Sequence, residues 1–289
     1  MAEIVFLIPA RDVDSLHRTL SMLSFQKDRS FRAVIVDLAG FEAVQALAPD
    51  FEHQFPVSVV TVDPAGQPLW KCCLDAVPQA EWVCFLAPGI DLNATSFQRM
   101  KRCIDKHPDY DAFRWNLADP HRKWRLKTRP DRIFTRVFVD KDEAPLSSFV
   151  FRAKTLREAF EVDSEAAGMG LALILTGAKK TGVRTVRWER VGFTAPAPST
   201  DPAVVEKEVR ARLAFFRWSE RYFGEDYPLG VGDRLDLFAT ELARLYPSFT
   251  PDELKEDLGT FAVVSGPIRR MKAASALKAA LKARQESLK

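Results

Sequence analysis

The chain has 289 residues, of which 47% are hydrophobic, so it can bury a substantial core, and a disordered or fibrous protein is excluded. Its 42 Lys and Arg against 39 Asp and Glu leave a formal net charge of only +3, far from the charge balance of a nucleic-acid-binding protein. The first element is a short apolar run at residues 4–8, which predicts a strand that is buried on both faces and ends at Pro9.

Helical periodicity and apolar β-rich runs then alternate along the chain. In order they predict a helix at 13–26, a strand at 33–36, a helix at 41–47, a strand at 57–62, a helix at 69–76 and a strand at 82–86. Asp12 or Asp14 is expected to cap the first helix. This alternation predicts an α/β fold with a mostly parallel sheet flanked by helices.

Ligands of open α/β sheets bind beyond the carboxyl ends of the strands. The residues that follow the first four predicted strands, or end them, should therefore border one crevice; they are Pro9, Asp37, Asp63 and Ala87.

The remaining elements divide the chain into two predicted parts. Further patterns predict a helix at 95–106, strands at 112–116, 149–151 and 183–188, and a buried helix at 171–176. A Pro-rich segment at 194–198 reads as a linker, so we expect an α/β domain over residues 1–195 and a helical C-terminal extension over 196–289. Helices are expected in that extension at 202–223, 233–245, 251–258 and 267–289.

This layout resembles the family 2 glycosyltransferases, which open with a strand, a Pro-Thr/Ala-Tyr-Asn-like turn and a helix ending in Ser-Leu-x-x-Gln. The segments that resemble the family's motifs are Ile8-Pro9-Ala10-Arg11-Asp12, Met22-Leu23-Ser24-Phe25-Gln26, Val36-Asp37-Leu38-Ala39-Gly40, Pro64-Ala65-Gly66, Phe85-Leu86-Ala87-Pro88-Gly89-Ile90-Asp91, and Glu165-Ala166 before Gly177. The likeness covers residues 3–190 and implies the glycosyltransferase type A (nucleotide-diphospho-sugar transferase-like) fold. It also implies transfer of a sugar from a nucleotide sugar, a UDP-sugar first, to a glycan or lipid-linked acceptor in polysaccharide biosynthesis.

The resemblance implies a nucleotide-sugar site made by seven residues: Pro9, Ala10, Arg11, Asp37, Asp63, Gly66 and Asp91. Leu38 stands where the family keeps an aspartate that pairs with the nucleotide base, which leaves Asp37 one position earlier. The family's Asp-x-Asp motif holds Mn or Mg against the donor diphosphate, but its positions are occupied by Ala87-Pro88-Gly89. Asp91 either reaches the metal or the donor ribose, or it caps the next helix together with Asn93.

A basic stretch offers a metal-free way to neutralise the diphosphate, because guanidinium and ammonium groups bind phosphate oxygens. The residues expected to face the diphosphate or an anionic acceptor are Arg122, Lys123, Trp124 and Arg125, and Trp124 can stack on a sugar or a base. The alternative is an exposed loop whose charges are solvated.

For the catalytic base the resemblance points to Glu165, the first place of the family's Glu-Asp pair, while Ala166 occupies the second place. Asp163, two residues earlier, is the other candidate for deprotonating an acceptor hydroxyl. Both carboxylates would equally serve as surface or helix-capping acids.

The chain shows no signal peptide and no apolar run near the roughly 18 residues of a membrane span, which predicts a cytoplasmic protein. The basic amphipathic pattern from residue 267 onward predicts contact with the inner membrane surface, packing on the domain or contact with a second subunit, and leaves all three open. The four cysteines lack Cys-x-x-Cys spacing and are expected to be reduced.

Three functions remain open from the sequence. The first is a glycosyltransferase, either metal-dependent or metal-free. The second is a catalytically inactive, glycosyltransferase-like binding or partner subunit in glycan assembly. The third is a metal-independent enzyme that uses a donor without a nucleotide.

Overall fold

In the computed structural model, the described residues are 3–10, 12–37, 40, 42–62, 68–87, 90–118, 127–129, 133, 145–162, 170–193, 218 and 222. The strands are β1 (Ile4–Ala10), β2 (Arg32–Asp37), β3 (Val57–Thr61), β4 (Trp82–Phe85), β5 (Ile90–Asp91), β6 (Ala112–Leu117), β7 (Lys127–Thr128), β8 (Phe149–Arg152) and β9 (Val183–Phe193). The helices are α1 (Val13–Ser24), α2 (Glu42–Leu47), α3 (Pro49–Glu52), α4 (Leu69–Asp75), α5 (Ser96–Lys106), α6 (Ala153–Val162) and α7 (Gly170–Ala178), and a 3-10 turn spans Leu146–Ser148.

The strands form one sheet in the order β3-β2-β1-β4-β8-β6-β9-β5, with β7 paired to β9. The first four strands are parallel, as the alternation of elements predicted. Strand β8 is antiparallel to both β4 and β6, whereas β6 and β9 run parallel to each other. The carboxyl ends of β1, β2, β3, β4 and β6 therefore lie at one edge of the sheet, called here the carboxyl edge.

The sheet is buried on both faces, which explains why its central strands are continuous apolar runs. Val5 and Leu7 of β1 belong to one core cluster with residues of α4, α6 and α7. Phe6 and Ile8 point to the opposite cluster, which includes residues of α1, α2 and α5. Alternate side chains of one strand thus serve two layers of helices.

The prediction that Pro9 ends the first strand is wrong, because β1 continues to Ala10. Pro9 pairs with Val36 of β2. Pairing of β1 with β4 ends at Leu7, whose carbonyl accepts from the Leu86 N–H at 2.8 Å. Since alternate residues of a strand point to the same neighbour, the missing N–H of Pro9 lies on the side that β4 has already left.

Trp218 and Tyr222, in the predicted helix at 202–223, are helical and pack on the α/β domain. Trp218 is fully buried, and its Nε1–H donates to the Ala159 carbonyl at 3.2 Å. The Lys179 ammonium lies 4.2 Å from the centre of the Tyr222 ring. The predicted linker and the later helices lie outside the described residues.

The four cysteines are free thiols, and Cys72, Cys73 and Cys84 are buried. Burial, with a smaller contribution from Cys72, raises the pKa of Cys73 to about 12. Among the described residues, no helix is both long enough and apolar enough to cross a membrane.

Candidate functional site

The order of the strands creates a switch point beside β1. The chain proceeds from β1 to β2 and β3 on one side, and then crosses to β4 on the other side. At such a point the loops leave the sheet in opposite directions and open a crevice at the carboxyl edge. Ala10 at the end of β1, Asp37 at the end of β2 and Ala87 just after β4 stand at this edge, and Ala10 is directly paired with Asp37.

Asp37 is completely buried and organises the turn that follows β2. Its Oδ1 accepts from the Gly40 N–H at 3.0 Å, and its carbonyl accepts from the Val62 N–H at 2.9 Å. Gly40 has a φ of +66°, a conformation that glycine adopts without steric cost. The Asp37 carboxylate therefore holds Gly40 close to the end of β2.

The segment after β4 is tied to the 3-10 turn before β8. The Ala87 N–H donates to Ser147 Oγ at 2.9 Å. Ser148 Oγ donates to the Pro145 carbonyl at 2.8 Å and accepts from Nε of the buried Arg114 at 3.3 Å. These contacts fix the main chain where the family's metal-binding motif begins, although Ala87 itself offers no side-chain ligand.

Asp91 lies in the two-residue strand β5 and is exposed. It pairs with Gly192 near the end of β9. A Cβ added at Gly192 would lie 3.0 Å from the Asp91 Cβ, so this pairing requires the close approach that glycine allows. The alternative in which Asp91 caps the next helix is wrong, because the N-cap of α5 is Thr95.

The predicted base residues Asp163 and Glu165 lie in the sequence between helices α6 and α7. Helix α6 starts at the opposite edge, where the Ala153 N–H donates to the carbonyl of Glu81, just before β4. Helix α7 starts at Gly170, where an added Cβ would lie 3.4 Å from Leu146 of the 3-10 turn. Helix α7 therefore begins beside the 3-10 turn whose Ser147 contacts Ala87 at the carboxyl edge.

Several predicted site residues lie outside the described residues. They are Arg11, Asp63, Gly66, Arg122, Lys123, Trp124, Arg125, Asp163 and Glu165. Of the predicted site residues that the structure describes, Pro9, Ala10 and Asp37 are brought together at the ends of β1 and β2, and Asp91 stands on β5.

Sequence reasoning missed the side chains that hold the segments following β4 and β5. Ser147 and Ser148 precede an apolar strand without a motif that would mark them. Gln26, by contrast, ends the Ser-Leu-x-x-Gln segment, so the sequence signalled the residue but not its contact. Its side chain is buried and reaches the segment after Asp91.

The described side chains do not fit a divalent cation held by two aspartates. Mn and Mg need oxygen ligands, and the 87–89 segment supplies no carboxylate. Asp91 is the single acid on the described part of this loop, and no group of three or more His, Cys, Asp or Glu side chains among the described residues could hold a metal ion.

Comparison with known proteins identifies the fold. No protein-family model and no curated protein matches the chain. Residues 1–349 of S. aureus TarS, solved in complex with UDP-GlcNAc, align with 100% of this chain and 91% of that chain at a TM-score of 0.65 and 13% identity. The mannosyltransferase PcManGT from Pyrobaculum calidifontis, solved with GDP-Man and Mn2+, aligns with 98% of this chain and 86% of that chain at a TM-score of 0.55 and 14% identity. The chain thus has the glycosyltransferase type A fold, as the sequence predicted.

Proposed function

We propose that this chain, which has the glycosyltransferase type A fold, binds a nucleotide sugar at the carboxyl edge and transfers the sugar to an acceptor. The observation that carries the proposal is the meeting of Ala10, Asp37 and Ala87 at the switch point of this fold. Two proteins of the same fold have been solved with UDP-GlcNAc and with GDP-Man.

The nucleoside half of the site is assigned to the ends of β1 and β2. Pro9 and Ala10 are buried and are assigned to the floor of this part of the site, beneath the nucleoside. Asp37, which is completely buried, is assigned to support this part of the site by holding the Gly40 N–H. Arg11, Asp63 and Gly66 complete the assignment, and a UDP-sugar is the first donor to test.

The diphosphate half must stabilise the negative charge that develops on the leaving nucleoside diphosphate. Asp91 carries the same sign of charge, so its proposed role is to accept a hydrogen bond from a donor hydroxyl. Neutralisation is assigned to the cationic side chains of Arg122, Lys123 and Arg125, with Trp124 stacking on the acceptor or the donor. The described ligand set does not fit a metal ion, so these cationic side chains take the place of a metal.

The chemical step is a displacement at the anomeric carbon of the sugar. The acceptor oxygen forms the new bond, the bond from carbon to the diphosphate oxygen breaks, and the electron pair leaves with the diphosphate. The acceptor proton passes to Asp163 or Glu165. The position of α7 supports this assignment, because α7 begins at Gly170 beside the 3-10 turn, whose Ser147 contacts Ala87 at the carboxyl edge.

A catalytically inactive binding or partner subunit in glycan assembly is the second candidate. What favours it is the sequence at three places where the family keeps acids: Leu38, Ala87-Pro88-Gly89 and Ala166. Such a subunit would keep the nucleotide site and lose turnover.

The acceptor is a glycan or a lipid-linked glycan, and the protein acts in the cytoplasm. The extension at residues 196–289 supplies contact with the inner membrane surface or with a second copy through its basic C-terminal helix. Trp218 and Tyr222 attach the beginning of this extension to the α/β domain.

Titration calorimetry with UDP, GDP and CMP, each with and without Mn2+, tests nucleotide binding. We expect one of the three to bind, with an affinity that does not depend on Mn2+. If none of them binds under either condition, the proposed donor class is wrong.

Turnover separates the enzyme from the inactive subunit. We expect sugar transfer from the bound nucleotide's sugar conjugate to be lost in Asp163→Asn or in Glu165→Gln, while nucleotide affinity and thermal stability are retained. Wild-type protein that binds the nucleotide without consuming the conjugate, with and without glycan acceptors, would instead identify the partner subunit.

A further inference from the structure

Gln26 is a buried polar residue just beyond the end of α1, with 1% of its surface exposed. Both ends of its amide are used by one distant segment. Its Oε1 accepts from the Phe97 N–H at 3.1 Å, and its Nε2 donates to the Asn93 carbonyl at 2.9 Å. A buried amide satisfied at both ends fixes the relative positions of its partners, because either contact alone would leave a desolvated polar group.

The contact with Phe97 replaces a missing helix cap. The N-cap of α5 is Thr95, whose side chain makes no capping hydrogen bond. The first N–H groups of a helix lack partners within the helix. Gln26 therefore supplies from α1 the acceptor that α5 does not supply for itself.

Two further bonds join the same pair of segments. The Lys27 N–H donates to the Ala94 carbonyl at 2.8 Å, and the Leu92 N–H donates to Met22 Sδ at 3.1 Å. The segment from Leu92 to Phe97 is thus attached at four points to the end of α1.

Asp91 immediately precedes this attached segment. On its other side it is held by pairing with Gly192. Strand β5 has only two residues, which is too short to define its own position, so the position of Asp91 is set by β9 and by the attachment to α1.

We infer that Gln26 is a positioning residue that holds Asp91 at the nucleotide-sugar site through residues 92–97. This inference rests on the proposed function and adds a residue that acts on the site without touching the donor.

The chain offers a matched control in Lys101. This buried lysine joins α5 to the loop after α1, because its ammonium donates to Ser30 Oγ and lies 4.0 Å from Asp28 Oδ2. It connects the same two regions as Gln26, but these side-chain contacts are made with Asp28 and Ser30 and not with residues 91–97. A merely structural role would make Gln26→Met and Lys101→Met behave alike.

Amide hydrogen exchange without ligand tests the positioning step. The Gln26→Met variant keeps a side chain of similar length but removes the amide oxygen and the amide NH2 group. In this variant we expect the Leu92 N–H to exchange about tenfold faster or more. In Lys101→Met its exchange rate should stay at the wild-type value. Gln26→Glu keeps an acceptor for the Phe97 N–H but has no donor for the Asn93 carbonyl. It replaces Gln26→Met in this experiment if the methionine variant does not fold. An unchanged Leu92 rate in the folded variants overturns the inference.

A double-mutant cycle on nucleotide affinity tests the link to the site. Using UDP or GDP, whichever the wild type binds, we expect Gln26→Met and Asp91→Asn each to raise Kd about 10-fold to 100-fold, and the double variant to be no weaker than Asp91→Asn alone. Lys101→Met should bind as the wild type does. If the Kd increases of the two single variants multiply in the double variant, the inference is wrong. Wild-type affinity in Gln26→Met or in Asp91→Asn would also overturn it. Either result leaves the proposed function intact. A wild type that binds neither nucleotide overturns the proposed function, and this inference with it.

Discussion

Arg152 joins three parts of the sheet at the edge opposite the candidate site. Its Nε donates to Asp111 Oδ1 at 2.8 Å, one terminal nitrogen lies 3.3 Å from Glu81 Oε1, and the other donates to the Pro108 carbonyl at 3.1 Å. The guanidinium also lies 4.4 Å from the centre of the Trp82 ring. These contacts need a planar group with several donors, which lysine cannot reproduce.

We therefore expect Arg152→Lys to lower the free energy of unfolding by about 1–2 kcal/mol in urea denaturation, since charged hydrogen bonds are lost in a partly exposed setting. Nucleotide affinity should not change, because Arg152 lies at the opposite edge of the sheet. An equal loss of stability in Lys71→Met, whose ion pair with Asp75 is exposed, would show that the loss does not arise from this network.

Sequence reasoning succeeded at single residues where the partner is close in the chain. Asp12 was one of two expected caps for α1, and its side chain does accept from the Ser15 N–H at 2.7 Å. It failed where the partner is distant. Asp91 was weighed as a cap because Asp commonly precedes helices, but its pairing with Gly192 depends on residues about 100 positions away and leaves no local pattern.

At the scale of elements, α7 packs on β8 with no spare room at Gly177. A Cβ at this position would lie 2.3 Å and 2.8 Å from carbons of the buried Phe151 ring. The close approach of α7 to the sheet therefore requires glycine within the helix, although glycine disfavours helix formation.

Gly177→Ala is expected to lower the free energy of unfolding by about 1–3 kcal/mol, because overpacking outweighs the gain of about 1 kcal/mol in helix propensity. Gly170→Ala is the control, since its Cβ would meet Leu146 at an ordinary 3.4 Å. Chemical denaturation of both variants measures the difference. A Gly177→Ala protein as stable as the wild type would mean that α7 does not pack this closely.

The long apolar strands and the amphipathic α1 and α5 could be predicted because local periodicity defines them. Strands β5 and β7 have two residues each and exist only through pairing with β9, so no local pattern marks them. The direction of β8 is also set by its neighbours. Helix α6 was missed although its buried Leu156 and Ala159 lie at helical spacing, so that signal was present in the sequence.

At the scale of the whole molecule, Trp218 connects the C-terminal extension to the core beside α6. Its ring is fully buried and stacks on Tyr222 with ring centres 4.8 Å apart. Trp218→Ala should therefore lower the free energy of unfolding by about 3–5 kcal/mol, whereas Trp218→Phe loses mainly the bond to Ala159 and about 1 kcal/mol. Equal stability of the alanine variant and the wild type in urea would contradict this attachment.

The same attachment should weaken at high pH. Burial raises the pKa of Tyr222 from 10.0 to about 12. A phenol whose pKa is raised by folding contributes stability that is complete below pH 10 and is lost as the pH rises towards 12. The melting temperature of the wild type should fall more steeply with pH over this interval than that of Tyr222→Phe. If the melting temperatures of the two proteins fall in parallel with pH, Tyr222 is not the source of the pH dependence. Lys179→Met controls for loss of the ammonium charge beside the Tyr222 ring.

The proposed function requires the nucleotide to bind at the carboxyl edge of the sheet. Amide hydrogen exchange with and without a saturating nucleotide, UDP or GDP, measures where it binds. We expect protection of residues 8–10, 37–40 and 86–92 at the carboxyl edge, with no change around Trp82 and Arg152 at the opposite edge. Protection confined to the opposite edge, or protection nowhere in the sheet, would contradict it.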